Sequence, residues 1–308
     1  MSLLDKMIVN TIPVIPKPLV GYFSKNYIAG PNLEDAIRVV KDLNSKGMMG
    51  TLDLLGEEVK LKKQAEAAGE EYLRMLSEIN NQKLDCNVSV KPTHLGLKLD
   101  NIFFYNNIKQ IVKKAQELNN FVRIDMEDHT VTSATIETYL KLKKEFGNHV
   151  GTVIQSYLKR TKEDICSLSL IKANLRLCKG IYVEPENIAF KNMLQINESY
   201  KQSLEELLKN QCYTGIATHD ESLLLHALDL IEDLQLPKSA YEFQMLLGVT
   251  EHNRDKIVKR GHRIRIYVPY GQDWYHYSVR RLKENPRMAK MIFNKILGLS
   301  NNHSELQA

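Results

Sequence analysis

RIYVPYGQDWYHYSVRRLKENP, residues 265–286, is the stretch around which the chain is read. A β-branched and aromatic run over 265–268 is broken by Pro269 and Gly271. Asp273 then offers a cap for a helix running through Tyr277, Arg280, Arg281 and Glu284 to a stop at Asn285-Pro286. That order predicts a strand, a tight loop and a helix. On the helix, Tyr277 lies three residues before Arg280 and four before Arg281, so the three share a face, and Arg280 lies four before Glu284, which can pair with it. Two adjacent guanidiniums beside an aromatic ring make a clamp for a carboxylate. The same spacing also fits a solvated charged helix end with Tyr277 turned into the core.

Working outward, the strand-loop-helix unit recurs. Short Val- and Ile-rich runs near Thr51 and over 87–90, 121–125, 151–155, 174–178, 214–217, 241–244 and 264–267 predict eight strands separated by helical segments. One helix is expected over LEDAIRVVKDLNSKG up to Gly47, and a long one from 58 to about 81. Strands alternating with helices imply right-handed crossovers and a parallel sheet, and eight of them in about 250 residues fit a closed (β/α)8 TIM-type barrel. No linker composition marks a second domain. The expected organisation is an N-terminal helical extension over 1–46, a barrel over 47–290 and a C-terminal tail over 291–308.

The 308 residues carry 42 Lys and Arg against 37 Asp and Glu, a formal charge of +5 spread over helices and not gathered in blocks, which does not single out nucleic acid as a partner. A basic face of this kind can still visit an anionic membrane surface. No apolar run is long enough to span a bilayer, and Asp5 before the first apolar segment argues against a signal peptide, so a cytoplasmic protein is expected, with peripheral contact to the inner membrane face open. Cys86, Cys166, Cys178 and Cys212 lie far apart, which argues against a disulfide framework or a zinc site, and the nine histidines include no H-x-x-x-H or H-E-x-x-H pair, so no metal is expected. A G-x-S-x-G elbow, a G-x-G-x-x-G turn and a Walker loop are all missing, so a dinucleotide would be held in neither the Rossmann nor the Walker manner.

In a barrel of this type, chemistry gathers where the strands end. The residues finishing the expected strands are Asp53 and Glu57, Lys91, Asp125 and Glu127, Gln155, Lys179, Thr218 and His219, Gln244, and Tyr267. In Arg176-Leu-Cys-Lys-Gly180, alternation puts Arg176, Cys178 and Gly180 on one side and Lys179 on the other. Gly180 lets a flat ring or a phosphate approach the backbone, and a structural turn explains it equally well. Thr218-His219 before Asp220 fits a cofactor contact at a helix N-terminus, or simply an N-cap beside a polar loop residue.

The segments TLDLLGE, VSVKP, RIDMED, VIQSYLKR, RLCKGIY, ATHD, EFQMLLGV and RIYVPYGQDWYHYSVRRLKENP, in that order from about residue 50 to 286, resemble the proline dehydrogenase family in its short monofunctional bacterial form. The resemblance implies a distorted (β/α)8 barrel that binds FAD noncovalently, oxidises L-proline to Δ1-pyrroline-5-carboxylate and passes electrons to a membrane quinone. It implies Arg280 and Arg281 on the proline carboxylate and Glu284 orienting them. It puts Lys91 and Asp125 near substrate and flavin, and Tyr267, Tyr277 and Leu246 around the pyrrolidine ring. Glu57 becomes a gate partner of Arg281. Gln155, Arg176, Cys178, Lys179, Gly180, Tyr182, Thr218, His219 and Gln244 would meet the cofactor. Cys178 stands where Val is usual, and Val183 where some members have Trp. Relatives that prefer hydroxyproline carry Ser in place of Tyr277, so the tyrosine favours proline. A methylenetetrahydrofolate reductase-like flavin barrel is the alternative enzyme, and a basic scaffold for an anionic partner the nonenzymatic one.

Overall fold

The computed structural model describes residues 21, 24, 26–275, 277 and 278. Eight parallel strands close into a barrel in sequence order: β1 (Met49–Leu54), β2 (Cys86–Val90), β3 (Val122–Ile124), β4 (Val150–Gln155), β5 (Asn174–Cys178), β6 (Tyr213–Ala217), β7 (Tyr241–Leu246) and β8 (Ile264–Tyr270). β1 closes on β8 with Thr51 opposite Tyr267. Among the described residues, helices α1 (Leu33–Ser45), α2 (Lys62–Asn81), α3 (Asn101–Glu117), α4 (His129–Phe146), α5 (Thr161–Ser169), α6 (Met193–Lys209), α7 (Glu221–Asp233) and α8 (Glu251–Lys259) alternate with the strands. This is the (β/α)8 architecture expected from the sequence. Half of the expected N-terminal extension, all of the C-terminal tail and the positions 280, 281 and 284 lie outside the described residues.

Each helix turns one apolar stripe inward. In α1 the buried residues are Leu33, Ala36, Ile37, Val40 and Leu43, the three-and-four spacing of a single face. Helix starts are set by short polar side chains: Asp100 accepts from Phe103 N–H, Asp128 from Thr130 N–H, Asn192 from Leu194 N–H and Asp220 from Ser222 N–H. The apolar core is the shell between strands and helices, where outward-facing Leu52, Val88, Val90, Val122, Ile124, Leu175, Leu177 and Ile216 pack at 0 % exposure. The lumen differs. Tyr267 on β8 donates to Asp125, directly after β3, and these strands are three apart around the closed sheet, so the bond crosses the interior. Arg123 reaches Asn174, and Arg176 reaches Gln244, each across two strands.

Two boundaries differ from expectation. α2 begins at Lys62 and not at 58, because Gly56 and Glu58 adopt positive φ and the N–H groups of Lys60 and Leu61 are taken by Gln64 Oε1, while that of Glu58 goes to Thr93 Oγ1. β8 continues through Pro269 to Tyr270. Its pairing with β7 ends at Tyr267, so beyond that point β8 has β1 as its ladder partner and the missing proline N–H breaks nothing on the β7 side.

Gly151 of β4 tests how tightly the lumen is packed. A methyl there would lie 2.5 Å from Arg123 Nη1, 2.6 Å from the Asn174 carbonyl oxygen and 2.7 Å from Phe121 Cζ, and the carbonyl cannot swing aside. Gly151→Ala is expected to destabilise the chain by about 1–3 kcal/mol through overpacking, read as a lower urea midpoint at unchanged slope.

Candidate active site

The carboxyl ends of the strands deliver a joined set of polar groups to one mouth. Asp125, 8 % exposed, accepts from Ser89 Oγ at 2.6 Å and from Arg176 Nη1 at 2.6 Å through one oxygen, and from the Tyr267 hydroxyl at 2.7 Å through the other. Arg176 Nε donates to Gln244 Oε1 at 2.5 Å, and its guanidinium carbon lies 5.3 Å from the centre of the Tyr267 ring. Lys91, the residue following β2, is bonded to Asp53 Oδ1 at 2.5 Å, and both are buried. Position follows from the β repeat: Ser89 and Lys91 fall two apart and share the lumen side, as do Glu242 and Gln244.

Burial pushes Asp53 up to about 6, a shift that attraction from Lys91 restrains. Burial also drives Glu127 up to about 7; it is 3 % exposed and accepts from the backbone N–H of Thr93 at 2.7 Å and the Thr93 hydroxyl at 2.6 Å. The Lys91 ammonium is pulled down by burial, but Asp53, Asp125 and Glu57 outweigh this and hold it above its ordinary range, so it is a cation at neutral pH. Glu57 therefore contributes to the field at Lys91.

Around this knot lies a rim rich in donors. Gln155, the last residue of β4, donates to the Glu127 carbonyl at 2.9 Å. Lys179 pairs with Asp220 at 2.7 Å, and Asp220 also caps α7. Thr218 Oγ1 accepts from Asp220 N–H, and His219 Nε2 accepts from Leu246 N–H at 3.2 Å, which places the ring proton on Nδ1 facing Thr250 Oγ1 at 2.9 Å. Gly180 has φ +106, and a side chain there would collide with the Tyr157 ring. Cys178 Sγ is 3.6 Å from the Ile154 carbonyl, and burial lifts the thiol to about 12. The ends of β4, β5, β6 and β7 thus supply Gln155, Arg176, Lys179, Thr218, His219 and Gln244, all with N–H or O–H groups, while Asp220 on this rim is neutralised by Lys179. Such a donor set fits a phosphate-bearing, carbonyl-rich cofactor of the flavin type.

Of the residues expected at the site, Lys91, Asp125, Arg176, Gln244 and Tyr267 belong to two adjoining buried ion-pair networks, and Gln155, Cys178, Lys179, Gly180, Thr218, His219 and Leu246 occupy the same end of the barrel. Tyr182 lies half-buried in the loop after β5. Tyr277 is 7 % exposed and packs with Tyr27, Ile28 and Leu55. Arg280, Arg281 and Glu284 lie outside the described residues. Ser89 and Thr93 are not singled out from sequence, and Asp53 and Glu127, named there as strand-end residues, are given no role towards Lys91 or Thr93. Ser89 was findable, since it stands two residues before Lys91 on the same face.

A barrel enzyme with a donor-rich mouth for a phosphate-bearing cofactor is the class that this fold and site define. The sequence profile described as proline dehydrogenase matches residues 36–292, and the chain belongs to the proline dehydrogenase family. It is 38 % identical over 259 residues to proline dehydrogenase 2 of Bacillus subtilis, covering 84 % of this chain and 85 % of that protein. It is 34 % identical over 278 residues to proline dehydrogenase of Deinococcus radiodurans, covering 89 % and 90 %. Among solved structures, proline utilization A (PutA) of Bdellovibrio bacteriovorus superposes with a TM-score of 0.81 at 25 % identity, over 96 % of this chain and 38 % of that one. The activity of the chain is accordingly the flavin-linked oxidation of proline at its carbon–nitrogen bond, and the reductase-like and scaffold alternatives fall away.

Glu127 yields a pH test. Because burial raises it from 4.5 to about 7, the native chain holds that proton more tightly than the unfolded one; the resulting stability is complete below about 4.5 and is lost as pH rises through about 7. Glu127→Gln removes this dependence. Between pH 4.5 and 7 the wild type is expected to lose stability relative to the variant by on the order of 2–3 kcal/mol, measured by denaturant titration across the range.

Proposed function

We propose that L-proline is held in this mouth with its carboxylate gripped by Arg280 and Arg281, its ring bounded by Tyr267, Tyr277 and Leu246, and its amine end towards Lys91 and Asp125. Glu284 orients the arginine pair, and Glu57 meets Arg281 as the gate. Gln155, Arg176, Cys178, Lys179, Gly180, Tyr182, Thr218, His219, Gln244 and Asp125 form the bed for FAD. The observation that carries this reading is the buried junction of Asp125, Arg176, Ser89 and Tyr267, which holds a guanidinium over an aromatic ring at the end of the barrel where the remaining donors converge.

When bound, FAD supplies the acceptor for the hydride that leaves the carbon beside the ring nitrogen. The chain does the rest. The arginine pair removes the freedom of one end of the substrate, and the Tyr267 ring, fixed by its hydroxyl to Asp125, sets the tilt of the other. Lys91 stays charged against Asp53 and Asp125 and so favours loss of the amine proton to solvent water, which lets the nitrogen lone pair drive formation of Δ1-pyrroline-5-carboxylate. Arg176 is the fixed cation against which negative charge on the cofactor side is stabilised. Electrons then leave to a quinone. No helix among the described residues is long and apolar enough to cross a membrane, so the exchange is assigned to a surface contact. Val183 at 98 % exposure and Leu194 at 78 %, beside the rim after β5, are apolar groups suited to it.

Anaerobic addition of L-proline to the purified protein is expected to bleach a flavin absorbance band; a colourless protein that takes up no FAD would overturn the cofactor assignment. Arg280→Met and Arg281→Met are each expected to raise KM for proline by roughly 30-fold or more with FAD retained, the scale of about 2–5 kcal/mol for truncating a charge-assisted contact. Lys91→Ala is expected to act on kcat instead, and steady-state kinetics at saturating acceptor separates the two outcomes.

A further inference from the structure

Four cations project into the barrel lumen: Lys91, Arg123, Arg176 and Arg265. Three have a carboxylate within hydrogen-bond distance, Lys91 with Asp53 at 2.5 Å, Arg176 with Asp125 at 2.6 Å and Arg265 with Glu242 at 2.7 Å. Arg123, 2 % exposed, has none among the described residues. Its Nη1 donates to the carbonyls of Thr152 and Asn174 at 2.8 and 2.9 Å, its Nη2 donates to Asn174 Oδ1 at 2.6 Å, and the Phe121 ring lies 4.8 Å from the guanidinium carbon. Its Nε has no partner among the described residues. Dipoles and a ring solvate the guanidinium without neutralising it, and a buried charge is ordinarily paired. Burial, and then repulsion from Arg176, bring Arg123 down to about 9. Glu242 attracts it, but that carboxylate is already engaged by Arg265 at 2.7 and 3.1 Å.

Arg123 lines a cavity of about 540 Å³ at the amino-terminal end of the barrel, opposite the candidate active site. Asn87, Asn120, His149, Asn174 and Tyr213 share the lining. Asn87, 7 % exposed, has its Oδ1 buried there without a hydrogen-bond partner among the described residues. The lining includes one buried carboxylate, Glu242, balanced by Arg265, and one solvent-exposed one, Asp85. Beside the cavity there is therefore a single unbalanced positive charge, together with two buried polar atoms, Arg123 Nε and Asn87 Oδ1, that no group among the described residues satisfies.

We propose that this cavity binds a small oxyanion that carries its own O–H or N–H, a chemistry shared by hydrogen phosphate and by small hydroxy acids, with its negative oxygens towards Arg123 and its donor towards Asn87. The site lies at the far end of the barrel from the proline mouth, and it stands or falls independently of how proline is held.

Calorimetric titration of the FAD-loaded full chain carrying Arg280→Met and Arg281→Met, so that the carboxylate clamp of the mouth cannot take the probes, with glycolate and separately with inorganic phosphate distinguishes the two sources, and acetate serves as the oxyanion without a donor. Saturable binding of glycolate or phosphate is expected, at least several-fold tighter than that of acetate. Asn174→Asp puts a carboxylate oxygen where Asn174 Oδ1 now accepts from Arg123, so it supplies the missing charge from within and is expected to weaken the probe at least tenfold. If that variant does not fold, Arg123→Met, which removes the unpaired cation, is expected to abolish the same binding. Absence of saturable heat with both probes, equal affinity with and without the further substitution, or acetate binding as tightly as glycolate would overturn the proposal.

Discussion

Tyr267 and Asp125 meet across the lumen from strands that are not neighbours, and much of the interior depends on contacts of this kind. A (β/α)8 barrel is ordinarily filled by layers of branched apolar side chains. Here the inward positions carry Asn87, Ser89, Arg123, Asp125, Asn174, Arg176, Glu242, Gln244 and Arg265. Such a lumen can be dry only if nearly every polar group finds another. A continuous series does this: Tyr213 bonds Glu242, Gln244 bonds Glu242, Arg176 bonds Gln244 and Asp125, and Tyr267 bonds Asp125. Removing one member leaves its neighbour buried and unpaired, a loss of about 3–5 kcal/mol where the neighbour is charged.

This series also explains how the mouth can be both polar and well defined. Side chains in a buried network cannot change rotamer singly, because each move strands a partner. The Tyr267 ring is thus set by Asp125, Asp125 by Ser89 and Arg176, and Arg176 by Gln244. On the other side of the mouth, Thr93 ties together Glu127 and the backbone of Glu58, and so fixes the loop carrying Glu57. Groups that meet a substrate are positioned by groups that do not, which is the condition for holding reacting atoms at close range.

The eight strands were legible because fully buried parallel strands read as short Val- and Ile-rich runs, and their order alone implied closure. Which polar residues would meet was only partly legible. Lys91, Asp125 and Tyr267 announce themselves as charges or hydroxyls at strand ends. Ser89 does not, because a serine inside a strand has no local signature and acquires its role only from Asp125 on the next strand and Arg176 two strands further. The start of α2 is hidden for a related reason: the residues from Glu58 to Leu61 have helical composition, but the N–H of Glu58 is claimed by Thr93, more than thirty residues away, and those of Lys60 and Leu61 by Gln64. Pro269 looks like a strand breaker in the sequence because the sequence alone does not reveal that β7 has already ended beside it.

Barrels of this type usually separate their labour, with chemistry at the carboxyl ends of the strands and stability at the amino ends. The polar lumen weakens that separation. Arg123 stands at the lower end and Arg176 beside the mouth, and the repulsion between them is strong enough to be, after burial, the main reason Arg123 holds its proton less firmly. Charges so placed interact through protein, where the effective dielectric is several-fold lower than in bulk water. An apolar core would have insulated the two ends from each other. A column of ion pairs and amides carries the electrostatic state of one end towards the other, so the lower face of this barrel is part of the environment in which Arg176 and Asp125 operate.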